Sequence, residues 1–102
     1  MLIPKPTRAK PMGAAEAEAL ALRALAWIAA DDERLDRFLA LTGIDLATLR
    51  SRAAEPAMLG GVLECLLGDE RWVTAFAADA EIDPLAVARA RRLLPGGGEP
   101  AP

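Results

Sequence analysis

Side-chain chemistry needs groups that exchange protons, attack an electrophile or hold a metal, and this sequence offers few of them. It contains no His, Tyr, Asn or Gln, which removes the commonest general base and metal ligand and the amides that read bases or line oxyanion holes. Ser51 is the only serine and Cys65 the only cysteine. With no imidazole to activate either, nucleophilic catalysis is not expected. The carboxylates are densest at Asp31, Asp32, Glu33 and Asp36. Such a cluster can attract a hard cation, yet it lacks the loop spacing of a calcium site, and acidic residues at a helix start are favoured by the macrodipole with no ligand at all. The expectation is therefore a protein that is not an enzyme, with no catalytic residue, no metal and no cofactor.

The arginines form a sharper pattern. Leu39, Gly43 and Leu49 have the spacing of a helix-turn-helix, echoed by Ala77, Glu81 and Val87, and the helix after each turn ends in cations: Arg50 and Arg52, then Arg89, Arg91 and Arg92. In a DNA reader these would follow the base-reading end of a recognition helix. Against that reading, the helix starts that would meet base edges carry Asp45 and Asp83, and cations near a helix C-terminus are favoured by the dipole alone. The net charge is −3, and the basic residues Lys5, Arg8 and Lys10 lie in the first 13 positions, so the remainder is more acidic than the whole. Nucleic acid is thus the alternative partner. The expected role is protein interaction or scaffolding, with another protein or a second copy, since an apolar helical domain can offer a groove to a partner helix. The candidate contact residues are Arg50, Arg52, Trp72, Arg89, Arg91 and Arg92, with the Leu93-Leu94 end beside them.

The elements that must position these residues are helical. The chain has 102 residues, 53% of them hydrophobic, but 23 are alanine and only Trp27, Phe38, Trp72 and Phe76 are aromatic. Ala, Leu and Arg favour helix and strand formers are scarce, so the fold class is all-α, a compact bundle of five to six short helices. Ala19 to Ala30 carries no polar side chain after Arg23; a helix apolar all round should be buried all round, which makes residues 14–30 the expected centre. Asp31 or Asp32 caps a second helix with Leu35, Phe38 and Leu39 facing inward, and Gly43 ends it in left-handed conformation. Asp45 caps a third helix, Pro56 opens a fourth that Gly68 stops, Asp69 caps a fifth, and Asp83-Pro84 opens a sixth ending near Leu94.

The two halves read as a repeat. Asp32-Glu33-Arg34-Leu35 matches Asp69-Glu70-Arg71-Trp72, Ile44-Asp45 matches Ile82-Asp83 after a one-residue offset, and Leu49 falls opposite Val87. Two pseudo-repeated three-helix units follow, with the first and fourth helices packed on each other and Gly60-Gly61 allowing close approach to Ala21 and Ala24. Cys65, in an apolar run, is expected to fill core space.

The run from Glu18 through Trp27 to Asp31, followed by Arg37-Phe-Leu-Ala-Leu-Thr-Gly-Ile-Asp45, resembles a family of small bacterial all-helical proteins known only as a domain of unknown function. The resemblance spans about residues 16–94. It implies a helical fold and carries no catalytic or binding residue to any position. Residues 1–13, with Pro4, Pro6 and Pro11, read as a mobile basic arm, 14–94 as a single helical domain and 95–102 as a disordered Pro/Gly tail. Glu16, Glu18 and Arg23 interrupt any secretory signal core and no apolar stretch is long enough to span a membrane. With a single thiol, the expected location is the cytoplasm.

Overall fold

The computed structural model describes residues 12–95 and contains six helices among them: α1 (Ala14–Ala29), α2 (Asp32–Thr42), α3 (Leu46–Arg52), α4 (Pro56–Leu67), α5 (Glu70–Ala80) and α6 (Leu85–Arg92). Most of the expected arm and tail lies outside the described residues. The described residues extend a little beyond 14–94 at both ends. Met12 packs against the core, the Gly13 N–H donates to Glu16 Oε1 at 3.0 Å to start α1, and the Pro95 carbonyl accepts from Arg91 Nη1 at 3.2 Å.

Local chemistry sets the boundaries. Asp31, not Asp32, is the cap of α2, its side chain accepting from the Arg34 N–H. Asp45 does the same for Thr48 at the start of α3 and Asp69 for Arg71 at the start of α5. Asp83 accepts from the Leu85 N–H at 2.9 Å while Pro84 already has helical dihedrals, which is the cap-then-proline start its sequence predicts. Gly43 ends α2 at φ +75°. Glu81 ends α5 in the same left-handed region at φ +59°, where a side chain other than glycine is strained. Gly68 ends α4 with ordinary right-handed dihedrals.

α1 and α4 form the centre, packed on each other, with α6 lying across both; α2 rests on α1 and α4, and α5 on α4 and α1, whereas α3 makes no interface of comparable extent. Ile28, Phe38, Leu63, Leu66 and Val87 are fully buried and Phe76 nearly so, each worth roughly 1.5–3 kcal/mol of transfer free energy. Two expectations about this centre are corrected. First, α1 is buried on one face only, through Ala17, Leu20, Ala21, Ala24, Leu25 and Ile28, while Leu22 is 44% exposed and Ala26 and Ala29 face solvent. Alanine makes a helix apolar in composition without making exposure costly, because each methyl hides little area. Second, the glycine pair does not serve the α1 contact. A Cβ on Gly60 would lie 2.7 Å from the Pro95 carbonyl oxygen and 2.8 Å from Arg91 Nη1, at the end of α6, and one on Gly61 would meet nothing within 4 Å. The close approach that needs glycine is therefore α4 on the C-terminal end of α6.

Candidate interaction groove

Successive turns of α4 place Ala57, Gly61, Glu64, Cys65 and Gly68 along one side, outside the buried ridge of Leu59, Val62, Leu63 and Leu66. The small residues in this row leave a trough. On one bank stand Arg37, Leu41 and Thr42 of α2 with Ile44 of the following turn, and on the other Asp69 and Trp72 at the start of α5. The trough holds about 540 Å³ and continues past Thr42, Ile44 and Gly61 into a recess of about 230 Å³ beside Arg52, Glu55 and Met58. Leu41, 62% exposed, projects on its rim.

One wall is held by aromatic and charged contacts. Trp72 meets the ring of Trp27 edge-on, centroids 5.8 Å apart at 83°. The Arg37 guanidinium lies 5.9 Å from the Trp72 ring and 3.7 Å from Asp69, so it bridges α2 to α5 across one end. Thr42 Oγ1 donates to the Phe38 carbonyl at 2.8 Å and accepts from the Ile44 N–H at 3.3 Å, which locks the turn that carries Ile44. Cys65 is half-buried on the floor, not in the core as expected. Burial pushes its thiol pKa up, against a smaller lowering by Arg37, so at neutral pH it presents an uncharged, weakly polar surface.

Trp72 is the one expected contact residue that the trough takes in. Arg50, Arg89 and Arg92 are exposed on the last turns of α3 and α6 and make no ion pair among the described residues. Arg52 pairs with Glu55 at 3.0 Å, close to the 230 Å³ recess. Arg91 is only 9% exposed. Its Nε donates to Glu64 Oε1 at 2.6 Å and it clamps the end of α6 to α4, so it is not a surface cation like its neighbours. Arg91 is thus removed from any arginine surface, while Arg50, Arg52, Arg89 and Arg92 stay exposed. In the acidic cluster, Asp31 is engaged by the α2 cap and by Arg34 at 3.9 Å, and among the described residues no three carboxylates or thiols converge as metal ligands would. No helix of the described residues is long and apolar enough to cross a membrane.

A family model described as "Protein of unknown function (DUF3572)" matches residues 14–97, a span that runs from the first residue of α1 past the end of α6. The chain belongs to the DUF3572 family. No curated protein and no solved structure matches it. In this DUF3572 domain, sequence reasoning missed the trough. The available signal was the row of small residues at Ala57, Gly61, Cys65 and Gly68 on the side of α4 away from its leucines.

Proposed function

We propose that this DUF3572 domain is a non-catalytic protein-interaction module of the cytoplasm, and that its binding surface is the trough over α4. The observation that carries the reading is the trough itself. It is a largely apolar depression bordered by an exposed leucine and by a tryptophan whose ring meets Trp27 edge-on and lies 5.9 Å from the Arg37 guanidinium. Apolar grooves of this kind receive amphipathic segments, and aromatic residues at their edge supply the anchoring contacts. The chemistry of the lining supports the same reading. Its titratable groups are an ion pair at Arg37–Asp69, a Glu64 bound to Arg91, and a thiol kept neutral, none of them arranged as nucleophile and base. The single thiol suits a reducing compartment.

The test is photo-crosslinking in cells from a benzophenone side chain at position 41, on the rim. The expected result is a discrete protein adduct that disappears when the trough is filled by Gly61→Arg, a change at a position with open space for a side chain. An adduct pattern that Gly61→Arg leaves unchanged, or that a benzophenone at Ala78 on the far side of α5 reproduces, overturns the reading.

A further inference from the structure

The trough has a counterpart elsewhere in the molecule, a smaller depression of about 350 Å³ that the chain partly occupies with its own Arg23 and Trp27. α2 and α5 are each 11 residues long, each is capped by an aspartate (Asp31, Asp69), and each ends in a left-handed residue (Gly43, Glu81). With Asp31 as the true cap, one step of 38 residues carries Asp32–Thr42 onto Glu70–Ala80 with no offset. It also carries the buried Ile28 onto Leu66, Phe38 onto Phe76 and Leu49 onto Val87. The same step relates Gly61 and Cys65 of the trough to Arg23 and Trp27, Leu41 and Thr42 to Asp79 and Ala80, and Trp72 to Arg34.

Arg23 and Trp27 occupy the equivalent place. Arg23 Nη2 donates to the Ala80 carbonyl at 3.0 Å, Trp27 Nε1 donates to Asp79 Oδ2 at 2.8 Å, and Arg34 lies over the Trp27 ring at 3.8 Å. A guanidinium therefore sits on the last carbonyls of α5, where the helix dipole favours a cation, with an indole one turn away beneath a flat partner group. On the α4 side the arginine is cut back to Gly61 and the tryptophan to Cys65. The carbonyl of Thr42, equivalent to that of Ala80, accepts no hydrogen bond from any described residue, and Trp72 stands where Arg34 covers the ring.

We propose that the α4 trough is the truncated copy of this internal seat, and that it binds a helix of a partner protein presenting an arginine and, one turn away, an aromatic side chain. This deepens the interaction reading above and rests on it. The arginine donates to the C-terminal carbonyls of α2 at Thr42, in place of the side chain lost at Gly61. The ring lies over Cys65 and packs against Trp72, a contact between aromatic faces and edges where the other half of the molecule uses a cation. The spacing follows from α4 itself, since Gly61 and Cys65 stand one turn apart and two side chains at i and i+4 of a facing helix match that separation.

The experiment titrates the full chain with a fluorescein-labelled alanine-based helical peptide carrying one Arg and one Trp four residues apart. Fluorescence anisotropy and backbone amide shifts are read together. Saturable binding is expected, with shifts centred on Leu41, Thr42, Cys65 and Trp72. Replacing the peptide's Arg by Glu, or its Trp by Ala, should weaken it by about tenfold or more. The Gly61→Arg/Cys65→Trp chain, which restores the internal seat, should lose the peptide; Gly61→Arg alone, at a position with open space for a side chain, is the second variant should the first not fold. No saturation up to about 1 mM, or equal binding of the Glu and Ala peptides, overturns the proposal. If either occurs while the crosslinked adduct still depends on Gly61, the groove stands and its arginine–aromatic chemistry falls. Self-association of the wild-type chain through this face that the peptide fails to displace assigns the seat to a second copy and also overturns it.

Discussion

Gly60 and Gly61 are adjacent on α4, and the same substitution should move stability in opposite directions at the two. Replacing a glycine inside a helix by alanine gains about 0.8–1 kcal/mol of helix propensity, part of it by restricting the unfolded chain. At Gly61 the added methyl meets nothing within 4 Å, so Gly61→Ala should stabilise by roughly 0.5–1 kcal/mol. At Gly60 the same methyl would come within 2.7 Å of the Pro95 carbonyl oxygen and 2.8 Å of Arg91 Nη1. It pushes α6 away from α4 and strains the Arg91–Glu64 pair, an overpacking cost of about 1–3 kcal/mol. Set against the common propensity gain, Gly60→Ala should come out between neutral and about 2 kcal/mol destabilising. Because propensity and unfolded-state effects are shared, the difference of about 1–3 kcal/mol isolates the steric contact. For a domain of this size, 1 kcal/mol moves Tm by about 4–8 °C, so thermal melts followed by circular dichroism should separate the two variants clearly. Equal stabilisation by both, or destabilisation by Gly61→Ala, would refute the assignment of Gly60 to the α6 contact and Gly61 to the open trough.

Three further outcomes follow from the geometry. Glu81→Gly, at φ +59°, should raise stability by about 1 kcal/mol by relieving left-handed strain, measured by denaturant titration; a loss would mean that the Glu81 side chain makes a contact worth more than the strain. Arg91→Ala should cost about 1–3 kcal/mol, through a lost charge-assisted hydrogen bond and lost packing of its stem, whereas Arg92→Ala, one residue on and exposed, should stay within about 0.5 kcal/mol. Equal effects would put Arg91 at the surface. The hydrogen bonds from Thr48 hold the Asp45 carboxyl below its usual pKa. The folded state therefore binds its proton more weakly than the unfolded chain, and the stabilisation is complete above the usual carboxylate range and lost as pH falls through the lowered folded value. Stability measured from neutral pH to below about pH 4 should accordingly fall more steeply in the wild type than in Asp45→Asn, and parallel curves would remove the cap's share.

Helix ends were legible because their causes are local. Asp45 and Asp69 lie within hydrogen-bond reach of N–H groups two or three residues on, Pro56 suits a first turn, and Gly43 tolerates positive φ wherever it occurs. The choice between Asp31 and Asp32 was not legible, since either can reach a free N–H until the exit of α1 orients one of them. With Asp31 as the cap, α2 is an 11-residue helix behind an aspartate, as α5 is behind Asp69.

What the sequence determined by itself is the all-helical class, the six segments, the absence of imidazole chemistry and the inward stripe of α2. Each follows from residue type and a period of about 3.6. Tertiary structure alone decided which face of an alanine-rich helix meets water, which of two adjacent glycines is crowded and which of three C-terminal arginines turns inward. Neighbouring helix positions point about 100° apart, so composition treats Gly60 and Gly61, or Arg91 and Arg92, alike until another element covers one of them. The trough has the same origin. Gly61 and Cys65 are merely small in the sequence, and become a groove because α2 and the start of α5 rise on either side of α4 while α3 does not close over it.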